Sequence, residues 1–174
     1  MAYKNKTYVC FDADTDMNWY QLMKAWKEND NIAFDFQNAH DLNNLRGTSS
    51  EETIKAKLRE RLANTKVFVV LVGEKTKYLY KFVRWEIEYA IEKDIPIIAV
   101  NLNKRKGIDY DLCPPILRNE LAIHIPFGQK IIDYALNNWP LSHEKHRSEG
   151  KTGPFYYVDS VYKDLGLLTT PMSL

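Results

Sequence analysis

The chain has 174 residues, of which 45% are hydrophobic and 27% charged, and its formal net charge is +1. This size fits a single domain whose core needs no disulfide bonds, and the composition excludes a disordered or fibrous protein. The near balance of charge argues against a protein held on nucleic acid mainly by counterion release. No apolar run approaches the roughly 20 residues of a membrane span, and the first residues do not resemble a secretory leader. We therefore expect a cytoplasmic protein without membrane or nucleic-acid partners.

The chain opens with a predicted strand and an amphipathic helix. Residues 6–11 form a short β-rich run that ends in an acidic cluster, Asp12, Asp14 and Asp16. The next apolar residues recur at i, i+3, i+4 and i+7, the spacing of one helical face; they are Trp19, Leu22, Met23 and Trp26. Asp16 stands where this helix would take its N-cap.

A second strand, a polar loop and a second helix follow. Residues 32–36 alternate apolar and polar side chains, as a half-buried strand does, and residues 37–49 are polar. Ser49 or Ser50 then begins a helix that continues to residue 63. Its first turn carries carboxylates, which interact favourably with the helix dipole.

Two later strands are apolar throughout, at residues 67–72 and 96–100. Such strands are usually buried on both faces, in a parallel sheet covered by helices. Predicted helices at 78–93 and 129–138, and a strand at 122–126, complete an alternation of five strands with helices. This order favours an α/β, flavodoxin-like three-layer fold with a five-stranded, mainly parallel sheet.

The composition changes beyond Pro140. Residues 142–152 are polar and charged and are predicted to form a linker, in which His143 and His146 would be solvated. Residues 155–168 carry apolar side chains at the spacing of one short amphipathic helix. We therefore divide the chain into a domain at 1–140 and a C-terminal extension at 141–174, which packs on the domain or on a partner.

Ligands of open α/β sheets bind beside the carboxyl ends of the strands, where the strand order reverses. A phosphoacceptor receiver domain would need carboxylates after the first strand, which Asp12 and Asp14 supply, and an Asp at the end of the third. The third strand ends Leu71-Val72-Gly73 instead, so that class is excluded. The glycines are too scattered for a dinucleotide fingerprint or a P-loop. The His and Cys residues lack metal-ligand spacing, so we predict no metal site.

The segment after the third strand carries a resemblance. Its sequence, TKYLYKFVRWEI at residues 76–87, follows the strand VFVVLVG and resembles the TIR-like family of bacteria and archaea, which is related to the Toll/interleukin-1 receptor domains. The segments TYVCFDADTDMNWYQLMKAWKEND, IAFDFQNAHDL and KDIPIIAVNL are similar to the same family. The resemblance extends over about residues 6–102.

The resemblance implies a flavodoxin-like domain that hydrolyses or cyclises NAD with a glutamate on the helix after the third strand, which is Glu86 here. NAD is then the substrate, and no cofactor is required. In place of the family's frequent Ser-x-Trp, this chain has Tyr80-Lys81-Phe82. We expect the substrate to be bound around Glu86 by residues of the same edge and helix, namely Phe11, Asp12, Asp14, His40, Phe82, Arg84 and Trp85. From the residues alone, a solvated surface position for Glu86 stays open.

Members of this family also form the signal-producing half of Thoeris antiphage systems, in which a nucleotide second messenger activates a separate effector. The resemblance therefore implies an ADP-ribose-derived signal, a nucleotide-sensing effector as partner and self-association as a further option. Two alternatives remain open. One is a non-catalytic TIR-like adaptor that acts by assembly with other domains, and the other is a nucleoside deoxyribosyltransferase-like enzyme with a glutamate nucleophile.

Overall fold

The computed structural model describes residues 6–28, 35–37, 50–79 and 81–168. Within these residues, six strands form one sheet in which every neighbouring pair is parallel. They are β1 (Lys6–Cys10), β2 (Asp35–Gln37), β3 (Val67–Val72), β4 (Ile97–Asn101), β5 (Ala122–Pro126) and β6 (Pro154–Phe155). Their order is β2-β1-β3-β4-β5-β6, and its first five positions are the flavodoxin-like order. The predicted fold class is confirmed, with one short strand added at the edge.

Helices cover both faces of the sheet. They are α1 (Met17–Glu28), α2 (Glu51–Leu62), α3 (Phe82–Glu92), α4 (Gln129–Ser148) and α5 (Asp159–Asp164). One core lies between the sheet and α1, α4 and α5, and the other lies between the sheet and α2 and α3. The three layers follow directly from this arrangement.

Strand β3 lies in the middle of the sheet because it is apolar on both sides. All six of its residues are buried. Val69 and Leu71 face the core of α1 and α4, whereas Phe68 and Val70 face the core of α2 and α3. Burial of each large apolar side chain stabilises the fold by roughly 1.5–3 kcal/mol, so this one strand ties both layers to the sheet.

Helix α2 begins where the sequence predicts. Ser50 is its N-cap, and the Ser50 side chain accepts a hydrogen bond from the Thr53 N–H at 3.3 Å. Glu51 and Glu52 occupy the first turn, where their charge suits the helix dipole. The predicted second strand overlaps β2, but residues 32–34 lie outside the described part of the chain, as do residues 38–49.

The helix after β3 begins later than predicted. A single 3₁₀ turn, Thr76–Tyr78, comes first, and α3 begins at Phe82. The Thr76 hydroxyl accepts a hydrogen bond from the Gly73 N–H at 2.9 Å and donates one to the Leu71 carbonyl at 3.2 Å. These two bonds tie the turn to the end of β3, which delays the start of the helix.

Helix α4 extends ten residues beyond the predicted end at 138, because it runs through Pro140 to Ser148. Proline removes one backbone hydrogen bond from a helix, but Trp139 and His143, one helical turn apart, are both buried and keep the helix on the core. The linker predicted at 142–152 is therefore wrong over its first seven residues. The solvated state predicted for the two histidines is also wrong, since His143 is buried and His146 stacks on Phe155 with ring centroids 4.3 Å apart.

The last described residues pack on the same core. Strand β6 pairs with β5, and Tyr162 of α5 is buried beside Trp139 and Leu136 in the core of α1 and α4. Position 140, where the sequence division was drawn, lies inside α4. Among the helices described, none combines the length and apolar character that a membrane crossing needs.

Candidate functional site

The carboxyl ends of β1, β3 and β4 meet at one edge of the sheet, where the sequence predicts a ligand. A cavity of about 290 Å³ opens there. It is lined by the turn before α1, by the residues after β3 and β4, and by Leu112 further along the chain. Helix α3 also begins at this edge, since the connection from β3 enters it there.

Glu86 lies in the second turn of α3 and is directed at the sheet. Only 7% of its surface is exposed. Its carboxylate lies beside the Tyr8 hydroxyl and the Cys10 thiol of β1. Burial, and then the negative charge of Glu86, raises the pKa of both Tyr8 and Cys10 well above the ordinary value. Glu86 is therefore not the solvated surface carboxylate that the residues alone left open.

The spacing of α3 explains this orientation. The buried residues of the helix are Val83, Glu86, Ile87 and Ala90, which recur at i, i+3, i+4 and i+7. That is the apolar stripe of an amphipathic helix, and Glu86 occupies one of its core-facing positions. A carboxylate at such a position needs polar neighbours, because an isolated buried charge is costly. Tyr8 and Cys10 supply a hydroxyl and a thiol on the facing strand.

The aromatic residues predicted to surround the substrate lie mainly between α2 and α3. Phe82 and Trp85 contact each other edge to face, with ring centroids 5.6 Å apart, and both pack against Ile54 and Leu58 of α2. The Lys55 ammonium lies 4.7 Å from the centre of the Trp85 ring. Trp85 therefore serves the packing of two helices.

Arg84 is on the solvent side of α3. Its Nε donates a hydrogen bond to Glu88 Oε1 at 2.8 Å, one helical turn further on, and both side chains are about half exposed. Residues 84 and 86 are about 200° apart around the helix axis, so the described geometry does not bring Arg84 to Glu86.

The residues after β1 are divided between two roles. Phe11 is buried and stacks on Tyr20 of α1 at 4.7 Å, so it belongs to the opposite face of the sheet from Glu86. Asp12 is buried, and its Oδ1 accepts a hydrogen bond from the Asp14 N–H at 3.0 Å, which holds the turn. The Asp14 side chain is exposed. His40 lies outside the described residues.

A comparison with known protein families shows which family the chain belongs to. The family model for the TIR-like domain of the Thoeris protein ThsB matches residues 8–107. The chain belongs to this family. The resemblance seen in the sequence is thereby confirmed, and the matched span includes most of β1 and all of α3 with Glu86.

The TIR-like domain contains a buried acid that the sequence did not single out as a site residue. Asp16 lines the cavity at the edge of the sheet, is 4% exposed, and its Oδ2 contacts no hydrogen-bond donor among the described residues. Burial, and to a lesser extent the negative charges of Asp12 and Glu74, together raise the pKa of Asp16 from 3.8 to about 6. Sequence analysis missed this because Asp16 has the spacing of an ordinary helix cap.

Tyr8 and Cys10 were also missed as neighbours of Glu86. The available signal was the period of two along β1, which places both residues on one face of the strand. In the part of the TIR-like domain that the structure describes, no three His, Cys, Asp or Glu side chains come together in a group that could hold a metal ion.

Proposed function

We propose that this TIR-like domain cleaves the nicotinamide–ribose bond of NAD and produces an ADP-ribose-derived signalling nucleotide in Thoeris antiphage defence. The observation that supports this most strongly is the buried Glu86 carboxylate, in the second turn of a helix that starts at the ligand-binding edge of the sheet. The family match supports the Thoeris context. It also favours NAD chemistry over the deoxyribosyltransferase alternative.

The proposed step needs only one carboxylate. The bond between ribose C1′ and the nicotinamide nitrogen breaks, and its electron pair leaves with nicotinamide, which becomes neutral and needs no proton. Positive charge develops on C1′ and the ring oxygen of the ribose, as in glycoside hydrolysis. The Glu86 carboxylate stabilises this charge. Water, or a nucleophile within the ADP-ribose group, then bonds to C1′ and loses a proton.

Burial strengthens the electrostatic stabilisation that the Glu86 carboxylate gives to the developing positive charge. An anion with little water around it interacts more strongly with a nearby positive charge than an exposed anion does. Because Tyr8, Cys10 and the stripe of α3 surround it, its position need not reorganise when charge develops. Fixed charges aimed at the transition state are usually the largest single contribution to catalysis.

The proposal includes the partners of the reaction. NAD is the substrate, and no metal or further cofactor takes part in the step described. The product acts on a separate nucleotide-sensing effector. Self-association of the TIR-like domain is a further means of control.

The test measures nicotinamide and NAD in cells, before and after phage infection, with three versions of the protein. The wild type and Glu88→Gln should release nicotinamide and protect the cells, whereas Glu86→Gln should do neither. Glu88 is the matched control, because it carries the same side chain on the same helix but faces solvent, paired with Arg84. Protection by Glu86→Gln without nicotinamide release would contradict the proposal and indicate an adaptor that acts by assembly.

A further inference from the structure

The Tyr8 hydroxyl is a buried hydrogen-bond donor with no partner. The Tyr8 side chain lies wholly inside the core between the sheet and α2 and α3. Its ring stacks on Phe68, the residue opposite it on β3, with ring centroids 5.7 Å apart and planes 8° apart. The hydroxyl oxygen meets no hydrogen-bond partner among the described residues. Leaving a buried polar group unpaired is costly, which indicates that an acceptor belongs at this place.

Glu86 is the acid that faces this hydroxyl. Tyr8 and Cys10 are two residues apart on β1, so they lie on the same face of the strand. Both belong to the core that contains Val83 and Ile87 of α3. Glu86 occupies the same buried stripe of α3, and this helix packs on β1. The carboxylate and the hydroxyl are therefore neighbours where the helix meets the strand, and after burial the charge of Glu86 is the next cause that raises the pKa of Tyr8.

Two other ionisable groups face this pair. On β1, the Cys10 thiol also lies beside Glu86, and burial followed by the charge of Glu86 raises the pKa of Cys10. A thiol is a weak donor, so it holds a carboxylate less firmly than a hydroxyl does. From α2, the positive charge of Arg61 favours the ionised form of Tyr8, but burial and Glu86 outweigh it, so the pKa of Tyr8 stays well above its ordinary value. The Tyr8 hydroxyl therefore keeps its proton at neutral pH.

A catalytic carboxylate at a buried position needs such a donor. Burial disfavours the charged form of any carboxyl group, whereas a hydrogen bond donated to the carboxylate favours it. The step proposed above uses the charged form of Glu86. A donor whose ring is held by Phe68 also fixes the direction of the carboxylate that it binds.

The hydroxyl and the carboxylate are neighbours whose hydrogen bond is not closed in this structure. Hydrogen bonds between catalytic groups are often long before substrate binds and tighten in the complex. Closing this bond pairs a buried hydroxyl that is otherwise unsatisfied, which favours the arrangement.

We propose that Tyr8 is a positioning residue, whose hydroxyl donates a hydrogen bond to the Glu86 carboxylate and so keeps it ionised and aligned for the cleavage step. The inference rests on the function proposed for Glu86 above and adds the residue through which the fold controls it. Because the bond favours the ionised form, its loss should move the ionisation of Glu86 to higher pH. One hydrogen bond to a charged group corresponds to a shift of about one pH unit.

The first test follows the ionisation of Glu86 without any cleavage. Protein labelled with ¹³C at the glutamate carboxyl carbons and at tyrosine Cζ is titrated with acid and base and observed by NMR. In the wild type, the Tyr8 Cζ resonance should shift with the same midpoint as the Glu86 carboxyl, a comparison that needs no variant. In Tyr8→Phe, the Glu86 midpoint should lie about one pH unit higher. Equal midpoints in the wild type and folded Tyr8→Phe, or a Tyr8 resonance that does not follow Glu86, would overturn the proposal.

Tyr162→Phe is the matched control. Tyr162 is also buried, and its hydroxyl also lacks a hydrogen-bond partner among the described residues, but it lies in the core on the other face of the sheet. Removing this hydroxyl should leave the Glu86 midpoint where it is in the wild type. A shift as large as that of Tyr8→Phe would show that any buried hydroxyl has the same effect, and would refute the specific contact.

The second test follows NAD cleavage as a function of pH. Tyr8→Phe should lower kcat about tenfold, the effect of one lost hydrogen bond, with KM changed by less than about twofold, and should move the acid limb of kcat/KM to higher pH. Tyr162→Phe should keep the wild-type profile. A lower Tm in Tyr8→Phe with an unmoved acid limb would indicate a structural role only and contradict the proposal. If the wild type releases no nicotinamide, the proposed function fails, while the NMR titration still decides whether Tyr8 binds Glu86.

Discussion

Replacing Asp16 by Asn should stabilise the protein near neutral pH, although it removes a charge from the start of a helix. The pKa of Asp16 is raised from 3.8 to about 6, so the folded protein holds the charged form less readily than the unfolded chain does. Above pH 6 Asp16 is ionised in both the folded and the unfolded state, and the folded state is destabilised by the full free energy of burying this charge. Below pH 3.8 both states are protonated and the cost disappears.

The pKa shift of Asp16 sets an upper limit to the stability that Asp16→Asn can add. About two pKa units at 1.36 kcal/mol each is about 3 kcal/mol. The substitution also removes a favourable charge near the first turn of α1, which offsets about 0.3–1 kcal/mol of this gain. Asn and Asp cap helices about equally well, so capping changes little. Partial solvent screening reduces the figure further. We expect a gain of about 1–2 kcal/mol at pH 8, which corresponds to roughly 2–8 °C in Tm for a chain of this size.

Thermal unfolding of the wild type and of Asp16→Asn at pH 8 and at pH 4 measures this gain. The difference in Tm should be large at pH 8 and should shrink toward zero at pH 4. Asp14→Asn, which changes an exposed carboxylate of the same turn, provides the control and should shift Tm little at either pH. A gain that is absent at pH 8, or equally large at both pH values, would refute the reasoning about the buried charge.

Three further predictions concern the stability of the fold and the independence of NAD cleavage from metal ions. Tyr162→Ala removes a ring that is only 1% exposed in the core, and it should lower the free energy of unfolding, measured by urea titration, by about 3–5 kcal/mol. Tyr156→Ala is the control, because Tyr156 is 67% exposed, and it should change this free energy by less than about 0.5 kcal/mol. Ser50→Ala should cost about 1 kcal/mol by loss of the N-cap, and an unchanged urea midpoint would contradict that. NAD cleavage should persist in EDTA, since the proposed step uses no cation; activity lost in EDTA and restored by Mg²⁺ or Zn²⁺ would contradict it.

The sheet could be predicted because its central strands are continuous apolar runs in the sequence. Residues 67–72 and 97–100 are apolar throughout, and the strands that they form are buried on both faces. The length of α4 was less accessible, since Pro140 and the polar residues after it favour a break. What overrides them is tertiary packing, because Trp139 and His143 are buried one turn apart. The two-residue strand β6 has no sequence signal of its own and exists because β5 offers a free edge.

The site was predictable in part. The position of Glu86 came from the resemblance, and its burial could have been inferred from the spacing of Val83, Glu86, Ile87 and Ala90 on one helical face. The packing of Trp85 against α2 depends on how two helices meet, which no local pattern encodes. The burial of the Asp16 carboxylate likewise depends on its close packing against Gly73, which is 57 positions away in the chain.

The central claim is that the Glu86 carboxylate stabilises the charge that develops as nicotinamide leaves. The most direct measurement is the single-turnover rate of nicotinamide release from NAD by Glu86→Gln, a neutral side chain of the same shape, against the wild type and Glu88→Gln. The rate should fall at least ~100-fold in Glu86→Gln, the scale seen when one preorganised electrostatic group is lost, and should change little in Glu88→Gln. Wild-type turnover by a folded Glu86→Gln protein would contradict the claim.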